Sequence, residues 1–516
     1  MQKIWHSFYE LLKTPLEIMV VGYVFLGIGN LLVNPVFSIL YTVHSGWLTT
    51  AAMILSRTGS FLIVNFPLLF LIRLVSRRSS SYTTVLAAIG GYAAFLSATM
   101  VLRNSTLPAS AYSSILGISM SQSVKYSSQT VTVYPLQTGV FAMVIVAAVT
   151  IFCFRHTKNV PEQGSHFSFS SVVFVKTVLL SALCGIVIAL AWPYLIAVLN
   201  RGISFLASDT SSSAMLGFYG VLDRIFGVLN LGTLFRTPFW YSTQGGSWVS
   251  AAGTTITGDA SVWTAQYSAG ALNGMAGRYF TPYYILNIFA VPGLLWGTLS
   301  LTTDRTRRRR QALTVFLLTI VSLFSGILLP AEIALLFVAP LLFVIHLGLT
   351  GILFALLQGL QIYLGYYTTS SLTMVAMPGT LMELLAYLQT ESLRSSILKL
   401  VLIGAVCFLV WFAASRLYFR YLALDLFKGG RAKELILETE RAVGGLSNIV
   451  RADSSFDTLY ISLYDQSMID TERLIRLGGV RVLETPDGVA VTCGPVSTMA
   501  ARSIRNGIRS GVRDTM

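Results

Sequence analysis

The sequence predicts a polytopic α-helical membrane protein of about ten transmembrane helices plus re-entrant segments, followed by a small C-terminal α+β domain. Three observations predict it. Hydrophobic residues make up 54% of the 516 and charged residues only 11%, and the mean hydropathy is +0.69, a composition foreign to water-soluble domains. Apolar stretches recur at lengths near the roughly 18 to 20 residues with which a helix crosses about 30 Å of hydrocarbon. After Lys428-Gly429-Gly430-Arg431 the chain changes character, to short periodic segments with charges of both signs.

The apolar stretches are Glu17 to Leu40, Trp47 to Val75, Thr83 to Leu102, Val172 to Leu199, Tyr283 to Leu301, Ala312 to Leu329, Glu332 to Leu357 and Leu398 to Phe419. Gly139 to Phe154 is shorter and Met215 to Trp240 is mixed in polarity. Several contain Pro or Gly where a broken helix fits. Met1 to Lys13 is polar and amphipathic, and no small-residue cleavage pattern follows the first apolar stretch. That stretch is therefore expected to remain as a helix. The cysteines Cys153, Cys184, Cys407 and Cys493 are scattered, with neither metal-ligand spacing nor a disulfide framework. No cofactor is expected.

The formal net charge is +14, which raises the question of a nucleic-acid partner. From Tyr421 onward there are 12 basic and 12 acidic residues, against 24 and 10 before it, so the excess belongs to the apolar part. There it gathers at Arg73, Arg77 and Arg78, at Arg155 and Lys158, at Arg305 with Arg307 to Arg310, and at Arg416 and Arg420 leading to Lys428. These are topogenic anchors, which place those loops and both termini in the cytoplasm. Nucleic acid is not an expected partner; the bilayer is. Asn104 to Gln137 and Ser242 to Met275, rich in Ser, Thr, Gly and Tyr and nearly free of Lys and Arg, are expected outside.

In the C-terminal part, Ala432 to Val443 reads as an amphipathic helix and Asp457 to Tyr464 alternates as a strand does. Ser467 to Leu477 reads as a helix with Ser467 as N-cap and Gly478-Gly479 ending it. Val480 to Leu483 and Val489 to Cys493 flank the turn Thr485-Pro486-Asp487-Gly488, and Val496 to Ile508 reads as a last helix.

From Gly326 the sequence runs GILLPAEIALLFVAPLLFVIHLGLTG. This resembles the hallmark segment of the enzyme IIC component of glucose-type phosphotransferase system (PTS) permeases, Gly-Ile-Thr-Glu-Pro-Ile-Glu followed by an apolar run and Ala-Pro. Gly326, Ile327, Pro330, Glu332, Ala339, Pro340, His346, Thr350 and Gly351 fit that frame without gaps. Asn65-Phe-Pro-Leu-Leu-Phe70, Leu136-Gln-Thr-Gly-Val-Phe141, Ala191-Trp-Pro193, Gly277-Arg-Tyr-Phe and Pro292-Gly293 resemble further family elements in the expected order. The tail resembles the family's IIB module through Gly444-Gly445, Asn448-Ile449, Asp453, Leu459, Asp470 and Leu477-Gly478.

The resemblance implies a membrane-embedded IIC-like permease domain over residues 1–428 and a cytoplasmic IIB-like α+β domain over 429–516. It implies a multi-pass protein of the plasma (inner) membrane with a sugar ligand such as glucose, maltose, N-acetylglucosamine or a glucoside, a IIA component or other cytoplasmic regulator as partner, and a homodimer. Family members move sugar and phosphorylate it from a phosphocysteine on IIB. The chemistry needs hydrogen-bonding groups for hydroxyls, a carboxylate or imidazole beside the attacking hydroxyl, and a thiolate.

The reactive positions depart from this pattern. Where the family reads Asp-Ala-Cys-Ile-Thr-Arg-Leu, this chain reads Asp453-Ser-Ser-Phe-Asp-Thr-Leu459, which puts Ser455 at the cysteine and Thr458 at the arginine. A serine hydroxyl is a far poorer nucleophile than a thiolate, and Thr458 supplies no cation for phosphate. Cys493, on a late strand, does not match. Leu222-Asp-Arg224 through Pro238-Phe-Trp240 keeps the family's charge pair as Asp223 and Arg224, but its histidine pair becomes Gly232-Thr233, preceded by Asn230. Leu328-Leu329 replaces the Thr-Glu before Pro330, leaving Glu332 as the remaining carboxylate.

Ionisable groups in apolar surroundings are expensive and mark functional sites by default, which singles out Arg224 and Glu332; the competing reading is an internal ion pair or helix-end contact. Asp223 reads as structural. Asn230, Thr233 and Arg236, with Asn65, are candidate sugar ligands, although a threonine in a helix also bonds its own backbone. His346 reads as a satisfied core residue, and Trp240, Tyr241, Trp248, Tyr283 and Tyr284 as an interfacial belt or stacking faces. The expected function is a PTS-type sugar transporter with phosphoryl transfer impaired or lost and Ser455 a degenerate, inactive phosphocysteine position. The alternative is a non-transporting sugar sensor or regulatory scaffold; a flippase or channel on the same fold has no feature in its favour.

Overall fold

In a computed structural model of the protein, residues 2–34, 46–78, 82–102, 107–123, 130–157, 169–274, 276–302, 304–367, 378–422, 431–455, 457–476 and 482–513 are described. They form two compact units, neither continuous in sequence. One comprises Leu11–Pro282 and Thr350–Ala376; the other comprises Met1–Glu10, Tyr283–Leu349 and Met377–Met516. The Lys428-Gly429-Gly430 joint, Lys158, Met275 and Leu477-Gly478-Gly479 lie outside the described residues, as does the boundary expected at 428/429.

Helices dominate. In chain order they are α1 (Gln2–Val33), α2 (Gly46–Val64), α3 (Phe66–Arg78), α4 (Tyr82–Val101), α5 (Val140–His156), α6 (Phe169–Ala207), α7 (Ser213–Val228), α8 (Gly232–Tyr241) and α9 (Asp259–Ser268). Then follow α10 (Thr281–Ile285), α11 (Val291–Leu299), α12 (Arg305–Ser325), α13 (Leu328–Val338), α14 (Pro340–Gly359), α15 (Leu381–Tyr387) and α16 (Glu391–Leu417). Two hairpins, β1 (Met120–Ser123) with β2 (Thr130–Val133) and β3 (Ser247–Val249) with β4 (Thr255–Thr257), occupy the Lys/Arg-poor stretches.

Among the described residues six helical stretches are long and apolar enough to cross a membrane: Leu11–Leu32, Gly46–Val64, Tyr82–Val101, Ser171–Ala207, Pro340–Gly359 and Glu391–Arg420. Val140–His156 and Leu328–Val338 are apolar but shorter. Several of the expected apolar stretches are broken. Trp47 to Val75 divides at Asn65, between α2 and α3. Tyr283 to Leu301 is split by a π-type turn, Leu286–Ala290. Glu332 to Leu357 divides at Ala339, because the ring of Pro340 disfavours helical backbone in the residue before it, and Ala339 sits at φ −142°. Gly326, left-handed at φ +68°, ends α12 before α13 begins. The first turns of α12 carry Arg305 and Arg307 to Arg310, too much charge for hydrocarbon. At 39 residues α6 is about 58 Å long, well beyond the hydrocarbon thickness.

The tail is α+β. It comprises α17 (Arg431–Ala442), β5 (Ile449–Ser454), β6 (Thr458–Leu463), α18 (Thr471–Arg476), β7 (Val482–Thr485), β8 (Gly488–Thr492) and α19 (Ser497–Arg513). The strands form one antiparallel sheet in the order β5-β6-β8-β7. Ala452, Leu459, Ile461, Val489 and Val491 from the strands meet Ala442, Ala500, Ala501 and Ile504 from the helices in a single core. The helix expected to start at Ser467 begins later. Asp465 instead caps a 3₁₀ turn, Gln466–Met468, and the Asp470 carboxylate accepts from Arg473 N–H at 2.8 Å at the head of α18, so the N-cap is Asp470 and not Ser467. Strand β5 has no counterpart among the expected elements.

Candidate functional site

Two groups of buried charges lie in the apolar helices, one in each unit. The first is built where α7 turns into α8. Ser212 caps α7 by accepting from Met215 N–H at 3.4 Å. Beyond Val228 the chain turns through Asn230 in the left-handed region, φ +56°, a conformation that Asn tolerates better than most residues. The corner is tied down on two sides: Val140 N–H donates to the Leu229 carbonyl at 3.1 Å, and the Gln137 amide approaches the Asn230 carbonyl at 3.5 Å. Gly139, itself at φ +55°, leaves room for this, since a Cβ there would stand 2.2 Å from the Leu229 oxygen.

The turn aims α8 so that Arg236 reaches back to α7. Asp223, fully buried, accepts from Nε of Arg224 at 3.1 Å and also from its Nη2. Its other oxygen accepts from Nε of Arg236. One carboxylate thus orients two guanidinium groups from successive helices, and Arg236 also lies over the Trp240 ring, 5.6 Å from its centroid. Arg224 is buried and Arg236 partly exposed. Thr233, exposed on the first turn of α8, lends its carbonyl to the Thr237 hydroxyl at 2.7 Å. Asn230, Thr233, Arg224 and Arg236 therefore share one corner.

Asn65 sits nearby in chain geometry: the Asn230 amide approaches the Val64 carbonyl at 3.5 Å. Its own side chain is committed to backbone. The amide nitrogen donates to the Phe61 carbonyl at 2.9 Å and the oxygen accepts from Leu116 N–H at 2.8 Å. Asn65 thereby closes the α2–α3 break and pins a loop whose Leu116 is left-handed, φ +57°.

The second group lies in the other unit. Glu332, fully buried on α13, receives Nε2 of His346 on α14 at 3.0 Å. Nδ1 of the same ring accepts from the Trp411 indole N–H of α16 at 2.9 Å. An indole nitrogen only donates, so Nδ1 carries the lone pair and the proton sits on Nε2, facing the carboxylate. The tautomer is set by the hydrogen bonds themselves. His346 is buried with both ring nitrogens hydrogen-bonded, as a satisfied core residue is, and in that position it orients Glu332.

In the tail, Ser455 follows the end of β5 and is nearly buried. Its hydroxyl donates to the Asp457 carboxylate at 2.9 Å and accepts from Thr458 N–H at 3.2 Å. Its carbonyl accepts from the Ser497 hydroxyl at 2.8 Å. Thr458 donates to the same Asp457 oxygen at 2.9 Å. The Ser455 hydroxyl is thus held between a carboxylate and a backbone N–H. Cys493 is buried in the tail core, where burial first and Asp457 second push its thiol up to about 12. So raised, it holds almost no thiolate at neutral pH.

The family model described as "Phosphotransferase system, EIIC" matches residues 11–351. The chain belongs to the phosphotransferase system EIIC family. With six helices of spanning length and apolarity among the described residues, this EIIC chain is a multi-pass membrane protein. The "PTS system glucoside-specific EIICBA component" of Staphylococcus carnosus (strain TM300) is 26% identical over 375 residues, which are 70% of this chain and 52% of that one. The chain therefore spans about half the length of this relative. Among solved structures, ChbC, the IIC component from the N,N'-diacetylchitobiose-specific phosphotransferase system, is 13% identical with a TM-score of 0.34, covering 81% of this chain and 94% of its own.

Several groups in this EIIC chain escaped sequence reasoning. Asp259, buried at the head of α9, accepts from Gly277 N–H at 2.8 Å and Tyr279 N–H at 3.3 Å; as a lone acidic residue in a polar loop it gave no signal. The role of His346 was readable only from the break at Ala339, which lets two residues 14 apart face each other. Trp411 had no sequence signal.

Proposed function

We propose that the protein is a glucoside permease of the phosphotransferase type that moves its sugar without phosphorylating it, its tail being an IIB-like domain that no longer carries phosphate. Transport follows from family membership, and the glucoside class from the relative in Staphylococcus carnosus. The observation that carries the uncoupled reading is Ser455, a buried hydroxyl where the family has its phosphocysteine, and a far poorer nucleophile than a thiolate.

Sugar hydroxyls need donors and acceptors already in place and dry. Arg224, Arg236 and Thr233 at the α7–α8 corner supply donors; in the other unit, Glu332, oriented by His346, is a separate candidate acceptor. Asn230 and Asn65 shape the corner through backbone contacts and support those donors from behind. No step in this scheme breaks a phosphorus–oxygen bond, so the sugar leaves as it entered. The membrane domain, residues 1–428, spans the inner membrane with the arginine-rich loops and both termini in the cytoplasm, in keeping with the positive-inside rule. A IIA component and a second copy of the chain are the partners that the resemblance implies.

Uptake of radiolabelled glucosides, glucose, maltose and N-acetylglucosamine into vesicles tests the reading. Free sugar inside, in equal amount with and without a phosphate donor system, is the expected result. Sugar phosphate formed by this chain alone with a IIA partner would overturn the uncoupled part, and absence of uptake for every sugar would overturn transport. A ligand-induced rise in thermal stability without uptake would favour the sensor reading.

A further inference from the structure

The first turn of α12 and the β5–β6 face of the tail, both in one unit, are interlocked by two aspartates acting reciprocally. Asp304 is the N-cap of α12, accepting from Arg307 N–H at 3.2 Å with one oxygen. Its other oxygen lies 3.1 Å from the Arg451 guanidinium on β5. Its backbone N–H donates to the Asp453 carboxylate at 3.0 Å. The same Asp453 oxygen lies 3.8 Å from the Arg307 guanidinium, and that guanidinium stacks on Tyr460 of β6, 3.8 Å from the ring centroid. Asp453 and Tyr460 are opposite each other across the β5–β6 ladder, so the tail offers a carboxylate and an aromatic face side by side.

These contacts are not equal in weight. Arg451 and Asp304 are solvent-accessible, and such a pair contributes little alone. Asp453 is almost fully buried, and an N–H and a guanidinium at the head of α12 are among the groups that compensate its charge. Arg307, stacked and ion-paired at once, is the stronger anchor. Ser455 lies two residues beyond Asp453, on the same end of β5.

We propose that the β5–β6 face of the tail is a docking surface whose partner is the arginine-rich first turn of α12 in the same chain, which makes the tail a fixed clasp on that helix. A domain held in this way braces α12 and does not shuttle. The inference rests on the contacts alone and stands whether or not the protein transports sugar.

Amide hydrogen exchange on the full chain in detergent micelles tests it. Arg307→Gln removes the ion pair and the stacking from the α12 side while leaving every tail residue in place. Exchange in peptides covering 449–455 is expected to rise roughly tenfold, with the β8 peptide unchanged as proof that the tail stays folded. Arg451→Glu, which sets a carboxylate against Asp304, is expected to raise exchange in peptides covering 304–310. Adding Asp304→Asn, which keeps the cap acceptor but removes the repulsion, is expected to restore most of the protection. Unchanged exchange at both segments in Arg307→Gln and in Arg451→Glu overturns the proposal. So does a rise in Arg451→Glu that Asp304→Asn leaves untouched.

Discussion

The imidazole of His346 and the carboxylate of Glu332 face each other at 3.0 Å across the α13–α14 break, with the proton placed on Nε2 by the indole of Trp411 on the far side of the ring. A carboxylate in an apolar span is thereby given a fixed direction. The helix break at Ala339 makes the meeting possible, because α13 and α14 no longer share one axis.

Replacing His346 by Leu deprives two buried groups of a partner, the Trp411 N–H and a Glu332 oxygen. The expected cost is about 1–3 kcal/mol for each, read as a lower apparent melting temperature of the detergent-solubilised protein. His346→Gln, which retains an amide donor and acceptor, should lose less. Equal melting temperatures for Leu and wild type would remove the bridging role.

Asp223 orients Arg224 and Arg236 together, so its loss leaves two guanidinium groups without their common acceptor. Breaking a buried pair from one side costs about 3–5 kcal/mol. Asp223→Ala is expected to give little monodisperse protein by size-exclusion chromatography, Asp223→Asn an intermediate yield, and Arg236→Lys a yield near that of wild type.

Gly139 combines a left-handed backbone with a carbonyl in the space a side chain would fill. Gly139→Ala adds strain of about 1–2 kcal/mol from the backbone alone, besides displacing Leu229. Sugar-dependent thermal stabilisation should fall in this variant more than in Gly46→Ala, where a Cβ meets nothing within 4 Å.

Cys493 is expected to ignore maleimide at pH 7.5 in the folded protein and to react fully once denatured. Its thiol is both buried and pushed up to about 12. Rapid native labelling would mean that the tail core opens, and that a thiol remains available for chemistry after all.

Asp304 is held below the ordinary carboxylate range, first by the Arg307 N–H and then by Arg451 and Arg307. A depressed acid stabilises the fold fully above its unfolded value near 3.8 and loses that contribution as pH falls through its lower folded value. Protection of the 304–310 segment should therefore be flat from neutral pH to about 5 and weaken below about 4. Asp304→Asn should lack the step.

The helical membrane class, the tail's α+β character and the family were legible because each rests on many residues at once: apolar length, a period of two, a gapless frame around Pro330 and Glu332. The helix breaks were harder. Asn65 and Asn230, which interrupt apolar stretches, make contacts with residues far along the chain, which no local window contains. Strand β5 escaped because Arg451 and Asp453 interrupt its apolar alternation, and both face partners on α12 instead of solvent alone. The arginines of α12 read as topogenic charge, a reading that concerns insertion and is silent about what Arg307 later touches. For the candidate ligands, the sequence named Arg224, Glu332, Asn230, Thr233 and Asn65; Arg224, Asn230 and Thr233 lie at one corner, Glu332 lies in the other unit, and the Asn65 side chain is committed to backbone.

The Asp304 amide and the carboxylate that receives it are 149 residues apart. A ribosome making this chain releases α12 long before β5 exists, so the first turn of that helix must wait unfinished. Its seating is completed only once β5 has been made, and a polypeptide ended before that strand would leave the arginine cluster without the lock that retains it.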